Sequence, residues 1–424
     1  MHAEKVDFRK YIPLYQAALR GDWATADTIF TVDKDSLTAK INEFEETALH
    51  VATGAGRPSK SIDFVTKLVN KMPPEALELR DQFKWTPLHL AAWAGNKEAT
   101  KVLLKKQPSL LYMRECSKLS ALDMAARNAK KDTLLYLLDV TKNDPFSKLF
   151  PDDDSAAHFL ILVIASGYYD IALYLVEKYP SLATTKKKEN GDCGLKALAR
   201  KVSAFKSGSD HQWWQRIIYA QIPVKYLYDD LGELVMKEET TSHIGGDIEN
   251  AVVNNPQVSR QKYNRAQLLV EYFCTFVPCI KNIQDQKKTH LQALKLVKCF
   301  CEGFRSLNDS DAYKKSAKDA LLTAANLGIH EVMEEIVESF PNLLWAKTKE
   351  KRNLFHIAVK ERHANVLNLV YQMGDYQESL VQKEDLYRNN LLHLAGRLGP
   401  HKNNLISCTA LRMQRELQWF EVIL

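Results

Sequence analysis

Thr86–Ala92 reads TPLHLAA, and the next stretch, Trp93–Leu111, reads WAGNKEATKVLLKKQPSLL. Thr86 can cap a helix N-terminus, and Pro87 lies where a missing N–H is tolerated. Gly95 permits a tight turn after this short helix, and the apolar VLL run that follows gives a second helix its buried face. The stretch therefore predicts a helix pair that is too small to fold alone and must stack on similar pairs.

Related segments recur along the chain. In the first group, the fourth position of TPLHLAA recurs at steps of 34 to 39 residues and is occupied by His50, His89, Asp123, His158 and Lys196. A second group, further along, contains His356 and His393, which are 37 residues apart. This period is typical of ankyrin repeats, in which stacked helix pairs share a continuous core. The sequence therefore predicts an all-α, ankyrin-repeat solenoid in two blocks joined by a partly disordered helical spacer.

The pattern also predicts the domain organisation. We expect an N-terminal repeat block over 11–205, a spacer over 206–311, a C-terminal repeat block over 312–400 and an amphipathic helix over 405–424. Within the spacer, the polar segment 236–262 contains a Gly pair and a Pro and predicts a mobile connector. Two apolar-periodic segments follow, the first ended by Pro278, and they predict a helical hairpin.

The C-terminal helix should carry one apolar face. Its members recur at steps of three and four residues, and they are Ala410, Met413, Leu417, Phe420 and Leu424. We expect this face to dock either on the last repeat or on a part of the protein outside this sequence.

Composition narrows the functional class. The 58 basic and 52 acidic side chains give a net charge of +6 and are spread along the chain, which does not favour nucleic acid as a partner. Seven cysteines without framework spacing favour a reducing, cytoplasmic compartment. The most apolar segment, Ser155–Tyr169, is shorter than the roughly 20 residues that span a bilayer. We therefore expect no direct membrane span and interpret this segment as a buried repeat helix.

No catalytic, cofactor or metal motif fits its required context. Gly54–Ser61 reads GAGRPSKS and is close to a phosphate-binding loop, but it falls between two repeat helices instead of after a strand. Four cysteines, Cys274, Cys279, Cys299 and Cys301, lack paired zinc-ligand spacing and have apolar neighbours. We expect packing roles for these residues, and a chain without enzyme activity, cofactor or metal.

The repeated histidines have a structural interpretation. His50, His89, His158, His356 and His393 occupy one helical position in successive units, where an imidazole can bridge neighbouring loops by hydrogen bonds. Stacking places such residues in a row about 10 Å apart, too far for shared metal binding. We therefore group them with Thr86, Pro87 and Gly95 as residues that shape the repeat.

Binding is expected on the projecting turns and on the ends of the first helices. In DQFKWTPLHLAAWAG these positions are Gln82, Phe83, Trp85 and Trp93, which we predict as protein-binding residues because exposed aromatic side chains are common anchors. The alternative is that they pack on an adjacent loop. Lys84 takes a turn position usually held by Gly. Turn tips also differ in charge, with Glu43, Glu45 and Glu46 early and Lys349, Lys351, Arg352 and Arg388 late.

The C-terminal half resembles a known family. NLFHIA, LLHLAGRLGP and ALRMQRELQWFEV resemble plant ankyrin-repeat proteins that end in a PGG membrane domain, including the accelerated-cell-death type. The resemblance implies cytosolic repeats followed by transmembrane helices, with roles in defence, salt-stress and salicylate-linked signalling at the plasma membrane. The chain ends at Leu424, before such a domain, which is the pattern of a short isoform, a truncated gene model or a trimmed fragment.

The leading expectation is a non-enzymatic scaffold that binds a protein partner in plant stress or defence signalling. The alternative is the cytosolic portion of a membrane signalling or channel-like assembly whose transmembrane domain is missing, on the cytosolic face of the plasma membrane. A third hypothesis, an enzyme within 207–311, lacks any recognisable set of acid, base and nucleophile.

Overall fold

The computed structural model describes residues 8–55, 58–209, 211–222, 278–307, 310–371, 382–399 and 409–424. The chain divides into two compact units. Unit 1 comprises Met1–Tyr168 and Thr185–Gly191, and unit 2 comprises Tyr169–Thr184 and Asp192–Leu424. The predicted connector, 236–262, and most of the first helix of the predicted hairpin lie outside the described residues.

Unit 1 is built from helix pairs. Its helices are α1 (Ile12–Arg20), α2 (Trp23–Val32), α3 (Ala48–Gly54), α4 (Pro58–Lys71), α5 (Pro87–Ala94), α6 (Lys97–Lys106), α7 (Ala121–Arg127), α8 (Lys131–Val140), α9 (Phe146–Leu149) and α10 (Asp153–Ala165). The first helices of the pairs, α1, α3, α5, α7 and α10, form an inner row, and α2, α4, α6 and α8 form an outer row. The expected all-α solenoid is confirmed.

The TPLHLAA motif, Thr86–Ala92, forms the capped short helix that its sequence predicts. Helix α5 begins at Pro87, immediately after the N-cap residue Thr86, and ends at Gly95, whose φ of 79° is left-handed. Ala91 and Ala92 are fully buried. Such small side chains let α5 lie between α3 and α7, which pack on it from both sides.

Unit 2 also contains two rows of helices. Its helices are α11 (Tyr169–Lys178), α12 (Gly194–Leu198), α13 (Trp213–Gln221), α14 (Pro278–Arg305), α15 (Ser310–Leu327), α16 (His330–Ser339), α17 (Leu354–Glu361), α18 (Ala364–Tyr371), α19 (Leu391–Ala395) and α20 (Thr409–Ile423). The inner row is α12, α15, α17 and α19, and the outer row is α11, α14, α16 and α18.

Helix α14 completes a repeat whose first helix lies far earlier in the chain. It occupies the outer row between α11 and α16, while α12 packs directly on α15. The packing is close at Gly303, where an added Cβ would lie only 2.8 Å from the Cβ of Ala183. The two predicted repeat blocks therefore meet within unit 2, and most of the predicted spacer is inserted between the two helices of one repeat. The predicted domain boundaries themselves stay predictions.

The turn of the predicted helical hairpin, at Pro278, lies at the edge of the described residues and stays a prediction. Helix α14 begins at Pro278 and runs through 284–288 without a break. The sequence there, QDQKK, contains neither Gly nor Pro, so nothing in it ends a helix. Lys287, in this stretch, is buried. Its Nζ donates to the carbonyls of Tyr219 at 2.8 Å and Ile222 at 2.7 Å, which ties the helix to α13 and the residue after it.

The C-terminal helix docks through a different face from the predicted one. Helix α20 packs on α19, yet Met413, Leu417 and Leu424 are 65%, 56% and 81% exposed. Of the predicted face only Phe420 is partly buried, and a Cβ added at Gly396 would lie 3.9 Å from its ring.

An ion pair sets the rotation of α20 instead. The Arg362 side chain donates to the Glu416 carboxylate at 2.7 Å and lies 5.8 Å from the centre of the Trp419 ring. Charge pairing and ring stacking therefore turn part of the predicted apolar stripe toward solvent. Within the described ranges, no helix is both long and apolar enough to cross a bilayer.

Candidate protein-binding groove

The turns between repeats share one backbone geometry. They span 41–46, 81–85, 115–119, 348–352 and 385–389, and in each the N–H of the first residue donates to the carbonyl of the last at 2.7–3.0 Å. The residue before the last has positive φ in every case: Glu45, Lys84, Lys118, Lys351 and Arg388, with φ between 57° and 65°. This is the geometry of a short hairpin loop with one left-handed residue.

A carboxylate holds some of these turns from inside. One oxygen of Asp81, Oδ1, accepts the N–H groups of Phe83 and Trp85, both at 2.8 Å. In unit 2, Asp385 accepts the N–H groups of Tyr387 and Asn389 at 2.8 and 2.9 Å. Because the carboxylate satisfies two backbone donors, it rigidifies the turn and fixes where its tip projects.

Neighbouring turns are also joined to each other. In unit 1 the N–H of Gln82 donates to the carbonyl of Phe44 at 3.0 Å, and that of Cys116 donates to Phe83 at 3.3 Å. In unit 2 the N–H of Leu386 donates to Glu350 at 2.9 Å. These bonds keep equivalent positions of successive turns side by side.

Two of the repeated histidines are fully buried in unit 1 with both ring nitrogens bonded. In His89, Nδ1 accepts the Thr86 N–H at 3.2 Å and Nε2 lies 3.2 Å from the Leu119 carbonyl. In His50, Nε2 lies 3.1 Å from the Trp85 carbonyl. Burial lowers the pKa of each imidazole to about 4, so both are neutral and Nε2 is the donor. Each ring thus ties an inner helix to the turn before the next repeat.

The other three histidines depart from this arrangement. His356 is buried, with Nδ1 2.5 Å from Asn353 Oδ1, but within the described residues its Nε2 has no partner. His158 is partly buried, which lowers its pKa. His393 is exposed and accepts the Asn390 N–H at 3.3 Å.

An open groove lies on unit 1 between the turns and the inner helices. Three aromatic side chains line it, Phe44, Phe83 and Trp85, together with Leu90 from α5 and Met124 from α7. Its volume is about 350 Å³. Phe44 and Phe83 are 54% and 49% exposed. Exposure of an aromatic ring to water is unfavourable relative to its burial, so a partner that covers these rings would gain free energy. We call this site the unit 1 groove.

The unit 1 groove also carries a negative charge. Three carboxylates line it, those of Glu46, Asp81 and Glu115, against one cation, Arg127. Burial raises the pKa of the Asp81 carboxyl, and the neighbouring charges of Glu46 and Glu115 raise it further. Glu46 and Glu115 are therefore close enough to Asp81 for their charges to act on its carboxyl.

The structure brings together part of the predicted binding set. Phe83 and Trp85 line the unit 1 groove, and Gln82 is exposed beside it through its turn. Trp93 is 44% exposed but does not line the groove. Sequence reasoning missed Phe44, although it occupies the same turn position as Phe83 one repeat earlier, and that equivalence was the available signal.

Unit 2 has a groove of similar size at the equivalent place. Its volume is about 320 Å³, and its lining includes Lys349, Arg352 and Lys360 with the single carboxylate Glu350. Ile357 contributes an aliphatic side chain, and none of the described residues that line the groove is aromatic. We call this site the unit 2 groove.

A second polar cluster, also missed, joins α13 to α14. The Tyr219 hydroxyl lies 2.9 Å from Nδ1 of His290. Burial lowers the pKa of His290 to about 4 and raises that of Tyr219 to about 12.

Across the part of the chain that the structure describes, no three His, Cys, Asp or Glu side chains come together as metal ligands would. Burial raises the pKa of the Cys301 thiol to about 12, which opposes the thiolate that a metal needs.

The repeats of unit 1 are similar to those of known proteins. A family model described as ankyrin repeats (three copies) matches residues 14–112 and 57–148. Residues 14–148 are ankyrin repeats. The crystal structure of the ankyrin repeat domain of Bcl-3, a member of the IkappaB family, matches at 20% identity with a TM-score of 0.34, covering 45% of this chain and 80% of that one. No curated protein matches the chain.

The unit 1 groove lies wholly inside the matched ankyrin region. Ankyrin repeats form a protein–protein interaction domain. The resemblance to plant PGG-domain proteins stays a prediction.

Proposed function

We propose that this chain is a non-enzymatic interaction scaffold and that the unit 1 groove is where it binds a protein partner. The observation that carries the proposal is the set of three aromatic side chains, Phe44, Phe83 and Trp85, gathered from two adjacent turns into one open groove. Aromatic side chains in such grooves are frequent hot spots, because each buries a large apolar area with few rotamers to freeze.

The groove is preorganised for binding. Asp81 bonds both backbone N–H groups of its turn, and the bond from Gln82 to Phe44 locks one turn to the next. A partner therefore meets side chains whose backbone is already fixed, which reduces the entropy lost on association.

A matched pair of variants tests the groove. Wild type, the double variant Phe83→Ala plus Trp85→Ala, and Trp93→Ala are immobilised, and proteins recovered from native tissue are quantified by mass spectrometry. We expect a defined set of partners to be lost with the double variant and retained with Trp93→Ala, whose exposed ring lies outside the groove. Equal recovery by all three proteins would reject this surface as the binding site.

The biological setting that we propose, plant stress or defence signalling, rests on the resemblance of the C-terminal repeats and helix to PGG-domain proteins. It is tested by complementing a loss-of-function plant line with wild type or with the groove double variant, and scoring its responses to salt and salicylate. We expect only wild type to restore them. Normal responses in the uncomplemented line would argue against this setting.

One observation favours the alternative, a cytosolic part of a plasma-membrane assembly. Helix α20 leaves Met413, Leu417 and Leu424 exposed, and unpaired apolar side chains on a helix suit a bilayer surface or a membrane-embedded partner. Flotation of the full chain with phospholipid vesicles tests it. The alternative expects binding that Met413→Ser plus Leu417→Ser abolishes, and no flotation of wild type would count against direct membrane contact.

A further inference from the structure

We propose that the occupant of the unit 1 groove is a basic segment of the partner chain. In this arrangement a lysine or arginine side chain lies between the groove carboxylates and the aromatic rings, with flanking apolar residues on Leu90 and Met124. This inference rests on the proposed function and specifies the chemistry of the partner.

The first support is the distribution of charge. Each of three successive turns contributes one carboxylate to the lining, namely Glu46, Asp81 and Glu115, against the single cation Arg127. The lining therefore carries an excess of negative charge. The charges of Glu46 and Glu115 raise the pKa of Asp81, so a bound cation would relieve an existing repulsion.

The second support is that these carboxylates are not already neutralised. Among the described residues, none of the three forms an ion pair with a lysine or arginine. Asp81 accepts both of its turn N–H groups on Oδ1, and in the described part of the chain nothing donates to Oδ2. Glu46 accepts an amide N–H of Asn42 at 2.5 Å, which leaves its charge in place. The groove thus offers charge and acceptor capacity together.

The third support comes from the rings. The π face of an aromatic side chain attracts cations, and the planar guanidinium of arginine stacks on it while keeping its hydrogen bonds to carboxylates. Phe44, Phe83 and Trp85 lie in the same groove as the carboxylates, so one arginine has both kinds of contact available. An acidic segment would instead face three like charges.

The unit 2 groove shows that this chemistry does not follow from the fold alone. It occupies an equivalent place but is lined by Lys349, Arg352 and Lys360, with no aromatic ring among its described lining residues. Unit 2 therefore serves as an internal control, because its cations repel a basic segment and it lacks the described rings on which a guanidinium would stack.

A peptide selection tests the proposal on the 424-residue chain. A random peptide display library is selected on wild type, with counter-selection on Phe83→Ala plus Trp85→Ala. We expect groove-dependent sequences that combine arginine or lysine with neighbouring aliphatic or aromatic residues. An enriched peptide is then resynthesised with citrulline, the uncharged isostere, in place of each arginine, and we expect its affinity to fall about tenfold or more.

Two charge-neutralising variants sharpen the test. Glu46→Gln removes a charge that lines the groove, and Glu43→Gln removes one from an exposed residue of the same turn outside the groove. We expect Glu46→Gln to weaken the enriched peptide about three- to tenfold and Glu43→Gln to change its affinity less than about twofold.

Each contrary result has a distinct meaning. Groove-dependent peptides that are acidic or uncharged, or a citrulline peptide that binds equally well, would overturn the basic occupant and leave the proposed function standing. Absence of any groove-dependent peptide would overturn both. Concentration-dependent self-association in analytical ultracentrifugation, abolished by Glu46→Lys, would identify a second copy of the chain as the occupant and overturn this proposal.

Discussion

The turns of unit 1 and unit 2 have the same backbone and opposite surfaces. Both use an internal hydrogen bond, a left-handed residue and a bond to the next turn. At the residue before the left-handed one, however, unit 1 has Phe44, Phe83 and Ser117, whereas unit 2 has Glu350 and Tyr387. Because backbone hydrogen bonds hold the turn, the side chains at its tip are free to set binding chemistry.

The buried aspartates of the two units also differ in the direction of their pKa shifts. Burial and two neighbouring carboxylates raise the pKa of Asp81. For Asp385, burial also favours a higher pKa, but hydrogen bonds from Asn389, Tyr387 and Arg352 outweigh it and lower the pKa to about 2. Both aspartates accept two turn N–H groups, but Asp385 also accepts from the Asn389 and Arg352 side chains, whereas at Asp81 burial dominates and two like charges add to it.

The largest expected effect is acid destabilisation of unit 1 through His50 and His89. Their folded pKa values of about 4 lie below the ordinary value of 6.5. An imidazole with a depressed pKa contributes stability above pH 6.5 that is lost as pH falls toward 4, because the unfolded chain binds the proton first. Each histidine accounts for about 3 kcal/mol over this range.

Hydrogen exchange of α3 and α5 between pH 7 and 4, corrected for intrinsic rates, measures this loss. The double variant His50→Gln plus His89→Gln should flatten the profile. An unchanged pH dependence in that variant would mean that other groups cause it.

Next in size is the comparison of His89→Ala with His393→Ala. His89 is buried and bridges two loops, whereas His393 is exposed and, within the described residues, bonds only its own N-cap residue. We expect local losses of about 3 kcal/mol and about 1 kcal/mol, respectively. Hydrogen exchange of the helix that carries each residue measures them, and equal losses would contradict a bridging role for His89.

Substitution of the turn aspartates should destabilise unit 2 more than unit 1. Asp385→Asn removes one of the two carboxylates that pair with Arg352, 3.3 Å away, and we expect a loss of about 2 kcal/mol in unit 2 at pH 7. Asp81→Asn keeps an oxygen acceptor and removes a charge from beside Glu46 and Glu115, so we expect less than about 1 kcal/mol. Local exchange of each turn measures both.

The pH dependence of the aspartate effects has opposite sign. Asp385, with its depressed pKa, contributes stability above about pH 3.8 that is lost as pH falls toward 2. Asp81 has a raised pKa, so its protonation on acidification favours the folded turn. If both substitutions change the pH dependence of turn stability in the same direction, the two aspartates do not have opposite pKa shifts.

Gly303→Val tests the insertion of α14 into the stack of unit 2. The new side chain would clash with Ala183, and we expect a loss of about 2 kcal/mol in α11 and α14. Gly396→Ala is the matched control, because its added Cβ meets no atom closer than 3.5 Å. Exchange in unit 1 provides the reference, and protection of α14 equal to wild type would argue against close packing at Gly303.

The smallest effect should be the same in both units. Lys84 and Lys351 have φ of 63° and 60°, a conformation that favours glycine. We expect Lys84→Gly and Lys351→Gly each to stabilise by about 0.5 kcal/mol, since relief of backbone strain exceeds the added chain entropy. Lys349→Gly, in the same turn but without positive φ, should not stabilise. Thermal unfolding measures all three, and unequal gains at Lys84 and Lys351 would break the backbone equivalence of the units.

Much of the fold could be predicted from local patterns. The TPLH motif indicated the cap at Thr86 and the tight turn at Gly95, because caps and turns depend on residues within a few positions of each other. The rotation of α20 could not be predicted this way. Its apolar stripe suggested docking through Met413 and Leu417, but the position of Arg362 determined the face that packs.

The sequence by itself determined that the chain consists of stacked helix pairs, with a repeated histidine and projecting turns, because those features follow from short-range hydrogen bonding and apolar spacing. Only the tertiary structure decided that α14 pairs with α12 across a long insertion, and that Phe44, Trp85 and Met124 share one groove. Such contacts join residues that are a repeat or more apart, and no local pattern specifies which distant surfaces will bury each other.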